Sequence, residues 1–190
     1  FWLSEADSHG EKVSEYLSLT DAIHSCRAMR RIKPDVVPDE LLLELIDAAN
    51  QAPSGSNSQN ARWVVVRDPE VKRRLAEQNR KFLAPYIAAD VANPGTPKMK
   101  RMLDAVLWQM NHMHEIPALI VACFDYPEKV EGLGVYRQAG SVWPGVQNLL
   151  LTARALGLGA APTSLALRDQ DAGREHQSES DEREDELHRL

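Results

Sequence analysis

The stretch that decides the fold is residues 140–167, which read GSVWPGVQNLLLTARALGLGAAPTSLAL. Nearly every residue between positions 143 and 156 is apolar or small, so a helix here has no face suited to water. The helix is shorter than the roughly 20 apolar residues that cross a bilayer, and Gln147, Asn148 and Arg154 interrupt it. We therefore predict a central helix that is surrounded by protein, rather than a membrane span.

A stop signal and an apolar segment follow this helix. Gly157 and Gly159 are typical of a helix end, and residues 160–167 are apolar enough to predict a buried strand. Pro162 lies within that strand, where it lacks a backbone donor and interrupts pairing with a neighbour. Backbone groups left free beside a core helix suit a flat ligand that forms hydrogen bonds.

Composition narrows the class of protein. A chain of 190 residues with 43% hydrophobic content suits one domain with a substantial core, and its net charge of −6 argues against a general nucleic-acid surface. Cys26 and Cys123 lie far apart in the sequence, which argues against a disulfide framework. His112 and His114 would point in different directions on a helix, so the pair does not predict a shared metal site. Residues 1–12 lack the regions of a signal peptide, so we expect a cytoplasmic protein without nucleic-acid or membrane partners.

The other elements are predicted from periodicity and capping. Helices are expected at residues 17–25, 38–50, 69–78 and 102–114, and strands at residues 62–66 and 118–124. Ser18 or Thr20 is expected to cap the first helix. Residues 79–100 contain three prolines and a glycine that interrupt the helical pattern. This segment is predicted to be a mobile lid.

Two polar segments are candidate ligand sites. Residues 27–31 read RAMRR, which forms either a solvated turn or an anion cradle. A guanidinium group binds phosphate through two parallel hydrogen bonds, but taken alone the cluster favours the solvated turn. Residues 51–60 read QAPSGSNSQN, a run of turn formers. This run is either a plain polar loop or, because a helix and a strand anchor it, a loop that holds a ligand.

Three motifs, in this order, resemble the FMN-dependent nitroreductase family. They are RAMRR at residues 27–31, APSGSNSQ at residues 52–59, and VQNLLL at residues 146–151 with GLG at residues 157–159. The second motif, together with the strand after it, is the most specific of the three. The resemblance covers residues 20–169, and each motif lies in the helix, loop and strand setting predicted above.

The resemblance implies an α+β fold, built as a three-layer sandwich with a mixed, mostly antiparallel sheet around the buried central helix. It also implies a homodimer with one FMN in each of two sites at the subunit interface. On this basis the chain divides into an N-terminal extension (residues 1–17), an FMN-binding domain (residues 18–169) and an acidic tail (residues 170–190). The composition of the tail predicts a disordered or solvated segment.

The resemblance assigns cofactor-binding roles to the arginine segment. Arg27, with help from the backbone of Ala28, would face the phosphate and ribityl chain of FMN. Arg30 would lie near the pyrimidine edge of the ring, where a positive charge stabilises the reduced, anionic flavin. Arg31 is the weaker candidate of the three arginines.

Six more residues would complete the site. Three of them, on a loop contributed by the other subunit, are Pro53, Ser54 and Asn57. Three others, whose backbone would bond the N5 and O4 side of the flavin, are Pro162, Thr163 and Ser164.

The chain departs from the family pattern in four places. Family members often carry Arg at the position of Cys26 and Ser at that of Ala28, so two phosphate contacts are absent or replaced. The usual Pro-Trp after the loop glutamine is Asn60-Ala61 here, which alters the expected substrate face. Beyond Asp169 the family has a further apolar strand and a basic residue that reaches the phosphate, whereas this chain is acidic.

These features predict a flavoprotein oxidoreductase that works by ping-pong transfer. NADH or NADPH would deliver hydride to FMN and leave, and a nitroaromatic, quinone or similar small-molecule acceptor would follow. No catalytic acid, base or nucleophile is assigned, because the flavin carries the chemistry. Two alternatives stay open. One is a non-catalytic or vestigial FMN-binding dimer whose truncated C-terminus impairs turnover, and the other is a plain structural domain.

Overall fold

The computed structural model describes residues 16–125 and 133–167, and for residues 133–139 it describes the backbone alone. The predicted acidic tail and most of the N-terminal extension lie outside the described residues. No helix in the described ranges is long and apolar enough to cross a membrane.

The described residues form five helices and one two-stranded antiparallel sheet, which agrees with the predicted α+β class. In chain order these elements are α1 (Leu19–Ser25), α2 (Asp39–Asn50), β1 (Ala61–Val66), α3 (Pro69–Ala92), α4 (Pro97–His112), β2 (Leu119–Phe124) and α5 (Leu133–Ala155). Three short 3₁₀ turns lie at Gly55–Asn57, Met113–Glu115 and Leu165–Leu167.

Local capping explains where the helices begin. The Ser18 side chain accepts a hydrogen bond from the backbone N–H of Asp21, so Ser18 rather than Thr20 is the N-cap of α1. Asp68 caps α3 and Thr96 caps α4 in the same way, each followed by proline at the first helical position. The predicted starts of α1, α2 and α3 lie within two residues of the observed ones, whereas the predicted start of α4 at residue 102 is wrong, because Thr96 caps the helix and it begins at Pro97.

The chain divides into two compact units, and α5 is central to the first, which contains residues up to 67 and residues 116–162. In this unit α5 packs against α1, α2 and β2. Its core comprises the buried Leu42, Leu45 and Ala153, with apolar side chains of both strands packed on them. Strand β1 pairs with β2 in the register that places Trp63 opposite Ala122.

Two of the polar residues that interrupt α5 attach it to its neighbours. The Asn148 side-chain amide donates to the carbonyl oxygen of Ala48 at 3.1 Å, and the Arg154 Nε donates to the Ser25 hydroxyl at 2.9 Å. A polar group removed from water needs such a partner, so these bonds fix α5 against α2 and α1.

The prediction that α5 is wholly surrounded by protein is wrong for a single chain. Between residues 140 and 155 only Gly145 and Ala153 are buried, and most of the others are half-buried. Trp143 is 57% exposed. An apolar helix face that one chain does not cover remains available to another protein surface.

The segment after α5 ends the helix as predicted but does not form a strand. Gly157 has φ of +75°, the Leu158 N–H donates to the Ala153 carbonyl, and the Gly157 N–H donates to the Arg154 carbonyl. This is the Schellman arrangement, in which glycine tolerates the left-handed backbone. The predicted strand at residues 160–167 is wrong, because the chain is irregular until the 3₁₀ turn at Leu165–Leu167. Pro162 cannot donate to a strand ladder, which accounts for the missing pairing.

The second unit contains residues 68–115 and the segment that begins at Thr163. Helix α3 packs on α4 and on the 3₁₀ turns at Met113–Glu115 and Leu165–Leu167. Its buried positions include Lys72, Ala76 and Asn79, which recur at helical spacing on one face. Two of these three are polar, which is unusual for the buried face of a helix.

The prediction of an irregular lid over residues 79–100 is wrong in its secondary structure. Helix α3 continues through Pro85 to Ala92, and α4 begins at Pro97. A proline inside a helix costs about 3 kcal/mol, because it removes one hydrogen bond and crowds the preceding turn. Ile87 is buried two residues later, so packing of this face offsets that cost. The mobility of the segment stays a prediction.

Candidate functional site

The arginine segment follows α1 as irregular backbone. Arg27 and Arg31 are exposed, whereas Arg30 is half-buried. The Arg27 Nη1 donates to the carbonyl oxygen of its neighbour Cys26 at 2.6 Å, and none of the three arginines forms an ion pair with another described residue. A partly desolvated guanidinium without a counter-ion is a favourable place for an anion.

The same segment runs beside the chain that follows α5. The Met29 N–H donates to the Ala160 carbonyl oxygen at 2.9 Å. A Cβ added at Gly159 would lie 3.3 Å from the Cβ of Met29, so the two chains approach closely here. Pro162 follows two residues after this contact and is exposed. The structure therefore places the arginine segment beside residues 159 and 160, which shortly precede the predicted backbone donors.

Two departures from the family pattern have a clear structural outcome. The Cys26 thiol lies 3.8 Å from the Leu150 carbonyl oxygen of α5, so this side chain is directed at the helix. Ala28 is exposed and brings no side-chain donor. Neither residue replaces the side-chain donors that the family pattern has at these positions.

The loop at residues 53–59 has a fixed and strained conformation. Ser56, Asn57 and Gln59 have positive φ angles of 53°, 52° and 52°. Asn tolerates the left-handed region, but Ser and Gln there are uncommon and imply strain. The Ser54 hydroxyl accepts from the Gln59 N–H at 3.0 Å, and the Gln59 side-chain amide donates to the Asn57 side-chain oxygen at 3.0 Å. Strain held in place by such bonds is typical of functional loops.

One residue outside the loop also holds it. The Gly55 N–H donates to the Ser141 hydroxyl at 3.1 Å, and Ser141 lies in the N-terminal half of α5. No local pattern around Ser141 predicts this contact, because it depends on a residue 86 positions away.

The loop and the arginine segment are attached to different parts of α5. The loop contacts Ser141, whereas the arginine segment is held by the bond from Cys26 to Leu150, nine residues further along. At 1.5 Å per residue, these attachment points are about 13 Å apart along the helix axis. No hydrogen bond or ion pair of the described residues joins the loop to the arginine segment.

The two remaining predicted residues belong to the second unit. Thr163 and Ser164 are exposed, and the Thr163 hydroxyl donates to the side-chain oxygen of Asn79 at 2.9 Å. Asn79 is only 3% exposed. The N–H groups of Thr163 and Ser164 donate to no main-chain carbonyl of the described residues, so both can serve a ligand.

Neither of two described cavities contains a predicted site residue. One, of about 660 Å³, lies in the second unit between α3 and the 3₁₀ turn at Leu165–Leu167. The other, of about 350 Å³, lies in the first unit between α2 and β1. We conclude that the predicted residues do not line either of these cavities of the single chain.

The comparison with known families identifies the class of protein. A model of the Nitroreductase family matches residues 23–177, and the chain belongs to that family. The resemblance drawn from the three motifs is thereby confirmed. Membership supports the general class predicted from the sequence, a flavoprotein oxidoreductase.

Individual relatives carry the names of different enzymes. The chain is 30% identical over 149 residues to an iodotyrosine deiodinase of Thermotoga neapolitana, covering 76% of this chain and 72% of that protein. It is also 30% identical over 154 residues to a Methanothermobacter thermautotrophicus protein with the provisional name NADH dehydrogenase/NAD(P)H nitroreductase. That match covers 81% of this chain and 64% of the relative.

A solved structure gives a related picture. An iodotyrosine deiodinase bound to FMN and 3-iodo-L-tyrosine superposes with a TM-score of 0.55 at 26% identity. The superposition covers 77% of this chain and 74% of the deiodinase chain. The fold is therefore one that accommodates FMN in a relative of this chain.

Proposed function

We propose that the chain is one subunit of an FMN-dependent oxidoreductase that takes hydride from NADH or NADPH and reduces a nitroaromatic, quinone or similar acceptor. The observation that carries this proposal is the half-buried Arg30, which has no ion-pair partner among the described residues. It lies on a segment fastened beside the chain that leads to Pro162. A cationic segment of this kind, together with the predicted backbone donors that follow Pro162 in the chain, suits a cofactor with a phosphate and a flat, hydrogen-bonding ring.

The donors present fit FMN, although with fewer side chains than the family pattern provides. Arg27 and the backbone of Ala28 would hold the phosphate and ribityl chain, and Arg30 would face the pyrimidine edge of the ring. The backbone of Pro162, Thr163 and Ser164 would face its N5 and O4 side. When bound, FMN supplies the redox chemistry, since it exchanges hydride and electrons with both substrates.

The chain's own residues then bind and orient rather than transfer protons. The positive charge of Arg30 would favour the reduced, anionic form of the ring, and the backbone amides would stabilise charge on it. No described acid, base or nucleophile is needed for this work. Contacts with the protein would hold the flavin ring and the nicotinamide against each other.

We further propose that the working unit is a homodimer in which Pro53, Ser54 and Asn57 serve the flavin of the other subunit. Three findings support this. The loop and the arginine segment are attached about 13 Å apart along α5, the two cavities described above contain none of the predicted residues, and Trp143 of α5 is 57% exposed. A second copy would cover α5 and supply the missing wall of the site.

A second candidate function is reductive dehalogenation of a halogenated tyrosine-like substrate. It is favoured by the similarity to iodotyrosine deiodinases in sequence and in structure. In that reaction two electrons from the reductant and one proton replace the halogen, the carbon–halogen bond breaks, and halide leaves. The same cofactor site would serve either reaction.

The test begins with the purified full chain incubated with excess FMN and then freed of unbound flavin. We expect a stable oxidised-flavin absorbance that NADH or NADPH bleaches without oxygen and that a nitroaromatic or quinone restores. Restoration by 3-iodo-L-tyrosine with release of iodide, and not by the other acceptors, would favour the dehalogenase. A chain that retains no flavin contradicts the proposed function, and one that retains flavin but is not reduced supports the non-catalytic alternative.

A further inference from the structure

The buried side-chain amide of Asn79 holds the exposed segment that begins at Thr163. Asn79 lies near the middle of α3, on the face that also carries Ala76, and is only 3% exposed. An apolar residue would be the favourable choice at such a position, because a buried amide costs free energy unless it is hydrogen-bonded. Its side-chain oxygen accepts the hydrogen bond from the Thr163 hydroxyl at 2.9 Å.

This bond joins a buried residue to an exposed one. Thr163 is exposed, while Ala166, three residues later, is 7% exposed and packs with its 3₁₀ turn against α3. The segment is therefore held to α3 at two points, by the hydroxyl of Thr163 and by Ala166. Pro162, immediately before it, has a fixed φ angle. Between these restraints, the N–H groups of Thr163 and Ser164 have no main-chain acceptor among the described residues.

We infer that Asn79 is a positioning residue, which acts through Thr163 to fix the direction of the backbone N–H groups at Thr163 and Ser164 toward the flavin ring. The inference rests on the proposed function, because those amides face the N5 and O4 side only if FMN binds as proposed. Electrostatic stabilisation by amides depends on their being held in place before the reaction. A side chain behind the donor segment, such as Asn79, supplies that restraint by its hydrogen bond to the segment.

The distinguishing experiment is a double-mutant cycle on the full chain, with Thr163→Val, Asn79→Ala and the double variant. The quantities measured are the FMN dissociation constant and midpoint potential, and the melting temperature without FMN. We expect each single variant to bind FMN about tenfold more weakly, as for the loss of one hydrogen bond. Both single variants should lower the midpoint potential of bound FMN. The double variant should bind FMN no more weakly than the single variant that binds it less tightly.

Three comparisons keep a structural role apart from a positioning role. Thr163→Val leaves the buried Asn79 oxygen without this donor, so the melting temperature without FMN should fall, whereas the midpoint potential of the FMN that still binds should fall only if Thr163 positions the amides. Thr163→Ser keeps the hydroxyl and should recover most of the affinity lost in Thr163→Val. Asn111→Ala, which removes an exposed amide of α4, is the matched control for Asn79→Ala and should change neither FMN binding nor potential.

The outcomes separate this inference from the proposed function. If the wild type binds FMN and Thr163→Val binds it equally well with an unchanged potential, the positioning role is wrong and the proposed function stands. Additive losses in the double variant would also contradict a role that acts through Thr163. If the wild type takes up no FMN, the proposed function and this inference fail together.

Discussion

Gly145 and Trp63 approach so closely that a Cβ on the glycine would lie 2.9 Å from the Cζ2 of the indole ring. The same added atom would lie 2.9 Å from the carbonyl oxygen of Ala49. Glycine at position 145 is thus what allows α5 to pack against α2 and β1 at once. The Trp63 ring cannot easily move away, because its Nε1 donates to the Asn50 side chain at 2.9 Å.

Gly145→Ala should therefore destabilise the chain by about 1–3 kcal/mol, the usual range for overpacking a close contact. Gly140→Ala in the same helix is the matched control, since a Cβ there meets nothing within 4 Å. That control should be neutral or stabilise the chain by about 0.4–1 kcal/mol. Denaturant unfolding followed by circular dichroism measures both. Equal effects at the two positions would contradict the packing explanation.

The arginine segment predicts two separable effects on flavin. Arg27→Ala should weaken FMN binding by about 1.5–3 kcal/mol, the size of a lost charge-assisted hydrogen bond. Arg30→Ala should lower the midpoint potential of bound FMN, because a positive charge near the ring favours its reduced, anionic form. Arg101→Ala is a suitable control, since Arg101 is exposed on α4 and has no described ion pair. An unchanged affinity in Arg27→Ala would move the phosphate site elsewhere.

The exposed face of α5 predicts a dimer that depends on Trp143. Trp143→Glu should convert the dimer into a monomer and abolish FMN retention, because a buried carboxylate without a partner opposes association. Analytical ultracentrifugation and flavin absorbance report the two properties together. Val36→Glu, at a residue 80% exposed in the irregular chain before α2, should leave both unchanged. A wild-type chain that is monomeric and still binds FMN refutes the homodimer.

The end of α3 predicts local mobility despite its helical structure. Residues 88–93 are exposed throughout, and few buried contacts hold them. Their amides should exchange with deuterium faster than those of residues 146–155 in α5, and bound FMN should slow them if the segment covers the flavin. Hydrogen exchange read by mass spectrometry compares the two regions. Exchange as slow as in α5 would contradict the lid.

The first turns of α3 predict a small dependence of stability on acid. Glu70 accepts two hydrogen bonds from the Arg73 guanidinium, and this contact lowers the pKa of the Glu70 carboxyl below 4.5. Because the pKa is lower in the folded chain, the stabilisation is present above 4.5 and is lost as the pH falls through the folded value. The exposed position makes the effect slight. Melting temperatures of wild type and Glu70→Gln should converge in acid, and a constant difference would contradict the ion pair.

Many of the helix boundaries could be predicted from sequence patterns that act over a few residues. Ser18 and Asp68 mark helix starts because their side chains bond N–H groups three positions away, and Gly157 marks the end of α5 because it tolerates a positive φ angle. The three motifs were enough to predict the family. Such local chemistry does not depend on what the rest of the chain does.

The tertiary structure alone decided the features that depend on distant partners. Helix α3 continues through Pro85, and Ile87 is buried two residues later, which no local propensity reports. Ser141 holds the loop at Gly55, and Asn79 holds Thr163, across 86 and 84 positions of sequence. Hydrogen bonds of that span follow from how helices pack, so the sequence by itself was enough to predict the family, whereas packing decided which distant residues hold these segments.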